Sequence, residues 1–224
     1  GGLVGYWKFE EGSGTVAKDS SGNGHSAYLS TYLGSPTWVS GKIGNALSFV
    51  NPNGQFGQWL EIYGIGISLA NLKTKGTLSF SFWVNPASSQ TLSGPKLLGN
   101  GNNGTSNQYG ISLNNSSPPY SLAFGVNNGI TYYGWSGASF IPANVWSYLV
   151  VICTYQTSCS TYYNGALKET LATSYTGDAT VTDYFSVAGR SGGYSGWTGS
   201  MDDFRIYARA LSAAEIMALY NATK

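Results

Sequence analysis

The sequence is poor in charge: Asp, Glu, Lys and Arg make up 9% of its 224 residues, against roughly a quarter in an average soluble domain. Eleven basic and ten acidic residues leave a net charge of +1 with no basic run. That excludes the clustered Lys/Arg face of a nucleic-acid binder and gives an anionic membrane nothing to attract. Histidine occurs once, as His25, and cysteine twice, too few for a zinc site built from those residues. No stretch reaches the roughly 18–20 consecutive apolar residues of a membrane span. No repeat of about 20–50 residues recurs, and there is no low-complexity linker. Residues 1–224 therefore read as one domain, of the roughly 200–250 residues that a single β-sandwich reaches.

Aromatics stand in place of charge, with 17 Tyr and 7 Trp, alongside 31 Gly. Solubility then rests on hydroxyls and amides, a composition that suits a secreted or cell-surface protein. The aromatics have two readings: strands favour them, and Tyr or Trp faces also suit sugar or protein contacts.

Short strand-like runs recur between Gly, Asn, Ser and Pro turns, which points to a sandwich or jelly roll. Leu78, Phe80, Phe82 and Val84 alternate with Ser79, Ser81 and Trp83, the period of a strand with one buried face. Asp19-Ser20-Ser21-Gly22-Asn23-Gly24 is a dense turn. Near the end, Ser212-Ala213-Ala214-Glu215 is a capping box opening a short helix. Cys153 and Cys159 flank five residues between two strand-like runs. A hairpin places them as opposed neighbours, Cβ atoms ~4.5–5.5 Å apart, within local adjustment of a disulfide. A bridged pair and two free thiols are both open at this point, because the compartment decides.

Several blocks, taken in order, resemble laminin-G-like domains of the concanavalin A-like superfamily. They are Gly2 to Gly14 with the Asp19–Gly24 turn, Gly41 to Phe49, and Leu78 to Val84. Val145-Trp146-Ser147-Tyr148 with Tyr163-Asn164-Gly165 follows, and Met201 to Tyr207 with Ala210-Leu211-Ser212 and Glu215-Ile216 closes the series. The resemblance implies an all-β, two-sheet antiparallel jelly-roll sandwich with first and last strands adjacent and a short C-terminal helix. It also implies surface roles, carbohydrate binding or adhesion, and a structural calcium.

Candidate sites follow from both readings. Asp202 lies two residues from Phe204 and four from Ile206, so a regular strand places it on the core face, where a carboxylate needs compensation. Asp19, Asn23 or neighbouring carbonyls of the turn, and Asp202 are the candidate calcium ligands, the ion taking six to eight oxygens. The alternative is an Asx-turn at Asp19 and a polar partner for Asp202. Asp203 and Arg205 read as a surface or groove-edge pair. The candidate ligand surface is Tyr132, Tyr133 and Trp135 in one cluster and Tyr194 and Trp197 in another; packing of long loops on the sandwich is the other reading.

Catalysis finds no support. Glycoside hydrolysis needs two carboxylates at controlled separation. Glu10-Glu11 and Asp202-Asp203 are adjacent and point oppositely on a strand, and the Glu-x-Asp-x-x-Glu strand of the related glucanases is missing. His25 sits in a glycine turn with no nucleophile elbow anywhere. The expectation is a non-catalytic extracellular recognition module for glycan or another surface polymer. The alternative is a headgroup domain of a pilin-like surface filament that contacts neighbouring subunits, its hydrophobic anchor lying outside these residues.

Overall fold

The computed structural model describes residues 1–32, 34–52, 57–65, 76–91, 94–100, 108–127, 132–172, 184–189 and 196–224. The first half contributes β1 (Leu3–Trp7), β2 (Val16–Ala17), β3 (Ala27–Leu29), β4 (Thr37–Ser40), β5 (Asn45–Phe49), β6 (Leu60–Tyr63), β7 (Thr77–Pro86) and β8 (Lys96–Asn100). The second contributes β9 (Gln108–Asn114), β10 (Ser121–Asn127), β11 (Tyr132–Ser136), β12 (Ser147–Thr154), β13 (Ser158–Tyr163), β14 (Ala166–Ala172), β15 (Tyr184–Val187) and β16 (Gly199–Tyr207), then helix α1 (Ala213–Thr223). The first sheet runs β14-β13-β12-β7-β16-β5-β4, and the second β11-β10-β9-β8-β15-β6-β3-β2. Strand β16 pairs β5 through Gly199–Met201 and β1 through Phe204–Tyr207, so the first and last strands are neighbours. This is an all-β, two-sheet antiparallel jelly-roll sandwich with a short C-terminal helix.

The alternation in β7 decides which sides are covered. Leu78, Phe80, Phe82 and Val84 join the core between the sheets. There Phe80 stacks on Phe185 at 6.0 Å, and Trp7 stacks on Phe204 at 5.2 Å. Trp83 points the other way and joins Tyr148, Val150, Leu211 and Ile216 in a smaller apolar cluster. That second cluster exists because α1 docks on the outer face of the first sheet. The Ser212 hydroxyl accepts the Glu215 amide and the Glu215 carboxylate accepts the Ser212 amide, starting the helix there. At the far end the Trp83 indole N–H donates to Thr223 Oγ1 at 3.1 Å.

In the hairpin of β12 and β13, Cys153 lies directly opposite Cys159, and the two form a disulfide.

Candidate functional site

The Asp19 turn is built inward onto β1. Oδ1 of Asp19 accepts the Tyr6 amide at 3.0 Å and the Ser21 amide at 2.8 Å. Oδ2 accepts the Ser21 hydroxyl at 2.8 Å and the His25 amide at 2.9 Å. Burial acts to raise this carboxyl, but the Ser21, Tyr6 and His25 donors outweigh it and hold it below the usual range. His25 is a structural residue of the turn, its carbonyl accepting the Trp7 indole N–H at 2.8 Å. Asn23 ties the same turn down by donating to the Leu3 and Val4 carbonyls at 3.0 and 2.9 Å.

Asp202 departs from the sequence expectation. Asp203 takes a positive φ of 54°, and the register of β16 on β7 shifts between Asp202 and Arg205. A bulge of this kind adds a residue to one strand and breaks its period of two. Met201, Phe204 and Ile206 stay in the core, whereas Asp202 pairs with Trp83 on the outer face. It is 0% exposed even so. The turn between β4 and β5 covers it: a Cβ on Gly41 would sit 2.7 Å from Asp202 Oδ2. Oδ2 accepts the Ile43 amide at 2.9 Å, and Oδ1 has no partner among the described residues. The pair of Asp203 and Arg205 is also corrected. It forms, but its side chains are only 4% and 11% exposed, so it is buried rather than a surface pair.

Two of the three candidate calcium ligands, Asp19 and Asn23, are engaged in bonds of the turn itself. A carboxylate offers about four lone-pair sites, and Asp19 has four donors already. Strand β1 also separates the candidates, since Asp19 bridges Trp7 on one edge of β1 while β16 pairs along the other. Among the described residues, no group of three or more His, Cys, Asp or Glu is placed to hold a metal.

Burial pushes the Asp202 carboxyl up to about 7 against the lowering effect of the Ile43 amide, and the charges of Asp203 and Glu10 add to the rise. An unfolded Asp titrates near ~3.9. Between those values the folded state holds a proton that the unfolded state lacks. The contribution to stability is full below about pH 4 and is lost as pH rises through about 7. Unfolding in urea is therefore expected to show the wild type about 2–3 kcal/mol less stable at pH 8 than at pH 5. Asp202→Asn stays neutral and flattens that slope. Equal wild-type stability at both pH values contradicts the assignment.

The expected aromatic surface is divided. Trp197 is 0% exposed, with its ring 6.4 Å from Phe49, so it is a core residue and not a ligand contact. Tyr132, Tyr133 and Trp135 belong to β11, where the register pairs Trp135 with Phe124 and Tyr133 with Val126. Their side chains, and all of Tyr194, lie outside the described residues. Exposed aromatics occur where the sequence reading did not look. Tyr28 is 50%, Tyr32 76% and Tyr63 46% exposed, all on β3, the turn after it and β6. The available signal was the polar phase of two alternating runs, Ala27-Tyr28-Leu29 and Leu60-Glu61-Ile62-Tyr63.

Among the described residues, no helix is long and apolar enough to cross a membrane. The sequence model of the concanavalin A-like lectin/glucanases superfamily, laminin G type 3, matches residues 64–217. The chain belongs to that superfamily. No curated protein sequence matches it. Among solved structures, it resembles domain 4 of AbnA, a GH43 extracellular arabinanase from Geobacillus stearothermophilus, solved with arabinotriose. Identity is 21% and the TM-score 0.69, with 97% of this chain and 98% of that one covered. The binding domain of paraclostridial mosquitocidal protein 1 matches at 18% identity and TM-score 0.71, over 99% of this chain and 52% of that one. The binding domain of botulinum neurotoxin DC, in complex with rat synaptotagmin II, matches at 15% identity and TM-score 0.69, over 100% and 52%. The chain thus spans about half the length of the toxin binding domains it resembles.

Proposed function

We propose that this domain is a non-catalytic extracellular recognition module whose ligand is a glycan. One observation carries the reading: the whole chain corresponds to a whole domain solved with arabinotriose, at 97% and 98% coverage. Botulinum neurotoxin type C, whose cell entry is dependent upon interaction with two ganglioside molecules, shares the fold at 14% identity and a TM-score of 0.70 and supports it further. The low charge of the chain and its Cys153–Cys159 disulfide favour an oxidising, extracellular setting. Nothing observed favours the filament reading.

The acidic side chains of Asp19, Asp202 and Asp203 are each committed within the fold. Asp19 is saturated by donors and Asp202 is sealed beneath the Gly41–Asn45 turn. Asp203 is consumed by Tyr6 and Arg205. None of the three presents a carboxylate to a substrate.

The purified domain, applied to an array of plant and microbial oligosaccharides, is expected to bind a subset saturably and to release no reducing sugar. An array with no saturable signal removes the glycan reading, and release of sugar removes the non-catalytic one.

A further inference from the structure

The geometry points to the cleft between the β9–β10 turn and Ser139 as the subsite that holds a neutral segment of the glycan. This inference rests on the glycan-binding reading and adds the place and the ligand class.

Asn114 and Ser121 form the last pair of β9 and β10, and the connection between them folds against the segment that follows β11. Asn115, Ser116, Ser117, Pro118, Pro119 and Ser139 line an open cleft of about 510 Å³ there, within the roughly 300–1,000 Å³ of small-molecule sites. Its frame is fixed. The Ser116 carbonyl accepts the Gln90 amide at 2.9 Å, the Tyr120 amide donates to the Ile141 carbonyl at 2.8 Å, and the Tyr120 carbonyl accepts the Phe140 and Ile141 amides at 2.9 Å. Tyr120 is buried, and its hydroxyl donates to the Ala87 carbonyl at 2.7 Å. Asn115 has a φ of 74°, a left-handed conformation that Asn adopts more readily than most residues. Its amide nitrogen donates to Ser139 Oγ at 3.1 Å and, at a longer 3.4 Å, to the Pro119 carbonyl, which joins the two walls of the cleft. A site ordered in this way before its ligand arrives avoids much of the cost of ordering it on binding.

The chemistry of the walls selects the occupant. A carbonyl only accepts, so the bond to Pro119 turns the amide nitrogen of Asn115 towards it and leaves the side-chain oxygen as an acceptor. That oxygen and the Ser116 and Ser117 hydroxyls take no hydrogen bond among the described residues. Ser139 Oγ accepts from Asn115 and so keeps its own hydrogen to donate. A ligand must therefore offer donors and acceptors close together, which sugar hydroxyls do. Pro118 and Pro119 are exposed. They carry no backbone N–H and are held to one φ, so they present rigid C–H surface to the apolar face of a sugar ring. Ser and Asn supply adaptable hydrogen bonding beside it. No side chain lining the cleft is charged. A carboxylate or sulfate brought into it would lose water without gaining a cation, so neutral sugars are the ligand class.

The test uses isothermal titration of the whole domain with arabinotriose and with the neutral oligosaccharide giving the strongest array signal. Sialyllactose is the acidic comparator. The wild type is expected to bind a neutral glycan, and Ser117→Trp, which fills the cleft, to weaken it at least about tenfold. Asn115→Gly keeps the positive φ accessible while removing the amide, and is expected to weaken binding about fivefold or more. Amide NMR of the wild type reads the place without any variant, the largest shifts on titration being expected at Asn115–Ser117 and Ser139. Affinity is expected to stay within about twofold between ~0.05 and ~0.5 M NaCl, since no charge is engaged. A wild type that binds a neutral glycan with its largest shifts elsewhere overturns the cleft and leaves the glycan reading standing. Both variants binding within about twofold of the wild type do the same. Preference for sialyllactose, or an affinity that falls more than about twofold with salt, overturns the ligand class. A wild type that binds no glycan overturns the functional reading and this inference together.

Discussion

Trp197→Ala is expected to lower the unfolding free energy by about 3–5 kcal/mol, the range for deleting a buried Trp, and to leave the glycan affinity of the folded protein unchanged. The residue follows a glycine- and serine-rich stretch, a composition that suits a binding loop. Its surroundings are those of a plug. Gln90 clamps the backbone beside it, with the side-chain amide donating to the Thr198 carbonyl and the side-chain oxygen accepting the Thr198 amide, both at 2.8 Å. The Asn51 amide adds a bond to Thr198 Oγ1 at 3.1 Å. Gly199 has to be glycine, since a Cβ there would lie 2.5 Å from the Trp197 ring and 2.7 Å from the Asn85 carbonyl. The indole N–H has no partner among the described residues. Trp197→Phe removes that buried donor along with part of the ring and is expected to cost less than the alanine variant. Urea titration of the two variants measures the stability term, and titration calorimetry the binding term. A stability change below about 1 kcal/mol contradicts the core assignment, as does lost binding at unchanged stability.

Trp197 also shows where sequence legibility ends. The alternation Leu78-Phe80-Phe82-Val84, the capping box at Ser212 and the opposed cysteines were all readable, because each is a local pattern with one geometric solution. The adjacency of β1 and β16 came from ordered motifs rather than from physics. The face of Asp202 was misread for a definite reason. A period of two assumes an unbroken strand, and the positive φ at Asp203 inserts a residue that the pattern does not announce. Tyr28 was missed because Ala27–Leu29 is three residues long, too short for its period to stand out from a turn-rich background. The same holds for β2, with two residues. Burial of a loop aromatic is not local at all: composition reports how Ser191–Gly199 can bend, not what covers it. Proximity of the chain termini is correct at the level of strands, with the Asp19 turn bridged to one edge of β1 and β16 paired along the other.

The bulge that moved Asp202 also creates a buried ionic cluster. Arg205→Met is expected to destabilise the domain by about 3–5 kcal/mol at pH 7, the range for breaking a buried ion pair from one side. Tyr6 and Arg205 are paired across β1 and β16, and the bulge turns Asp203 onto the same outer face. The Tyr6 hydroxyl donates to Asp203 Oδ1 at 2.7 Å, and Arg205 donates to Asp203 Oδ2 and, at 2.8 Å, to the Tyr6 oxygen. The guanidinium lies 4.0 Å from the Tyr6 ring centroid. Burial, then the hydrogen bond to Asp203, pushes the Tyr6 hydroxyl well above its ordinary range. Each of the three side chains thus bonds to the other two. Methionine keeps much of the arginine stem but leaves Asp203 charged, 4% exposed and without its cation. Asp203→Asn removes the charge and tolerates the positive φ better than most residues. If the penalty is the stranded carboxylate, Asp203→Asn/Arg205→Met loses less than the sum of its single variants, with a coupling of at least about 1 kcal/mol. A double-mutant cycle in urea at pH 7 measures this. Additive losses, or a loss below about 1 kcal/mol for Arg205→Met, place the seam between first and last strands in the Trp7–Phe204 stack instead of in this triangle.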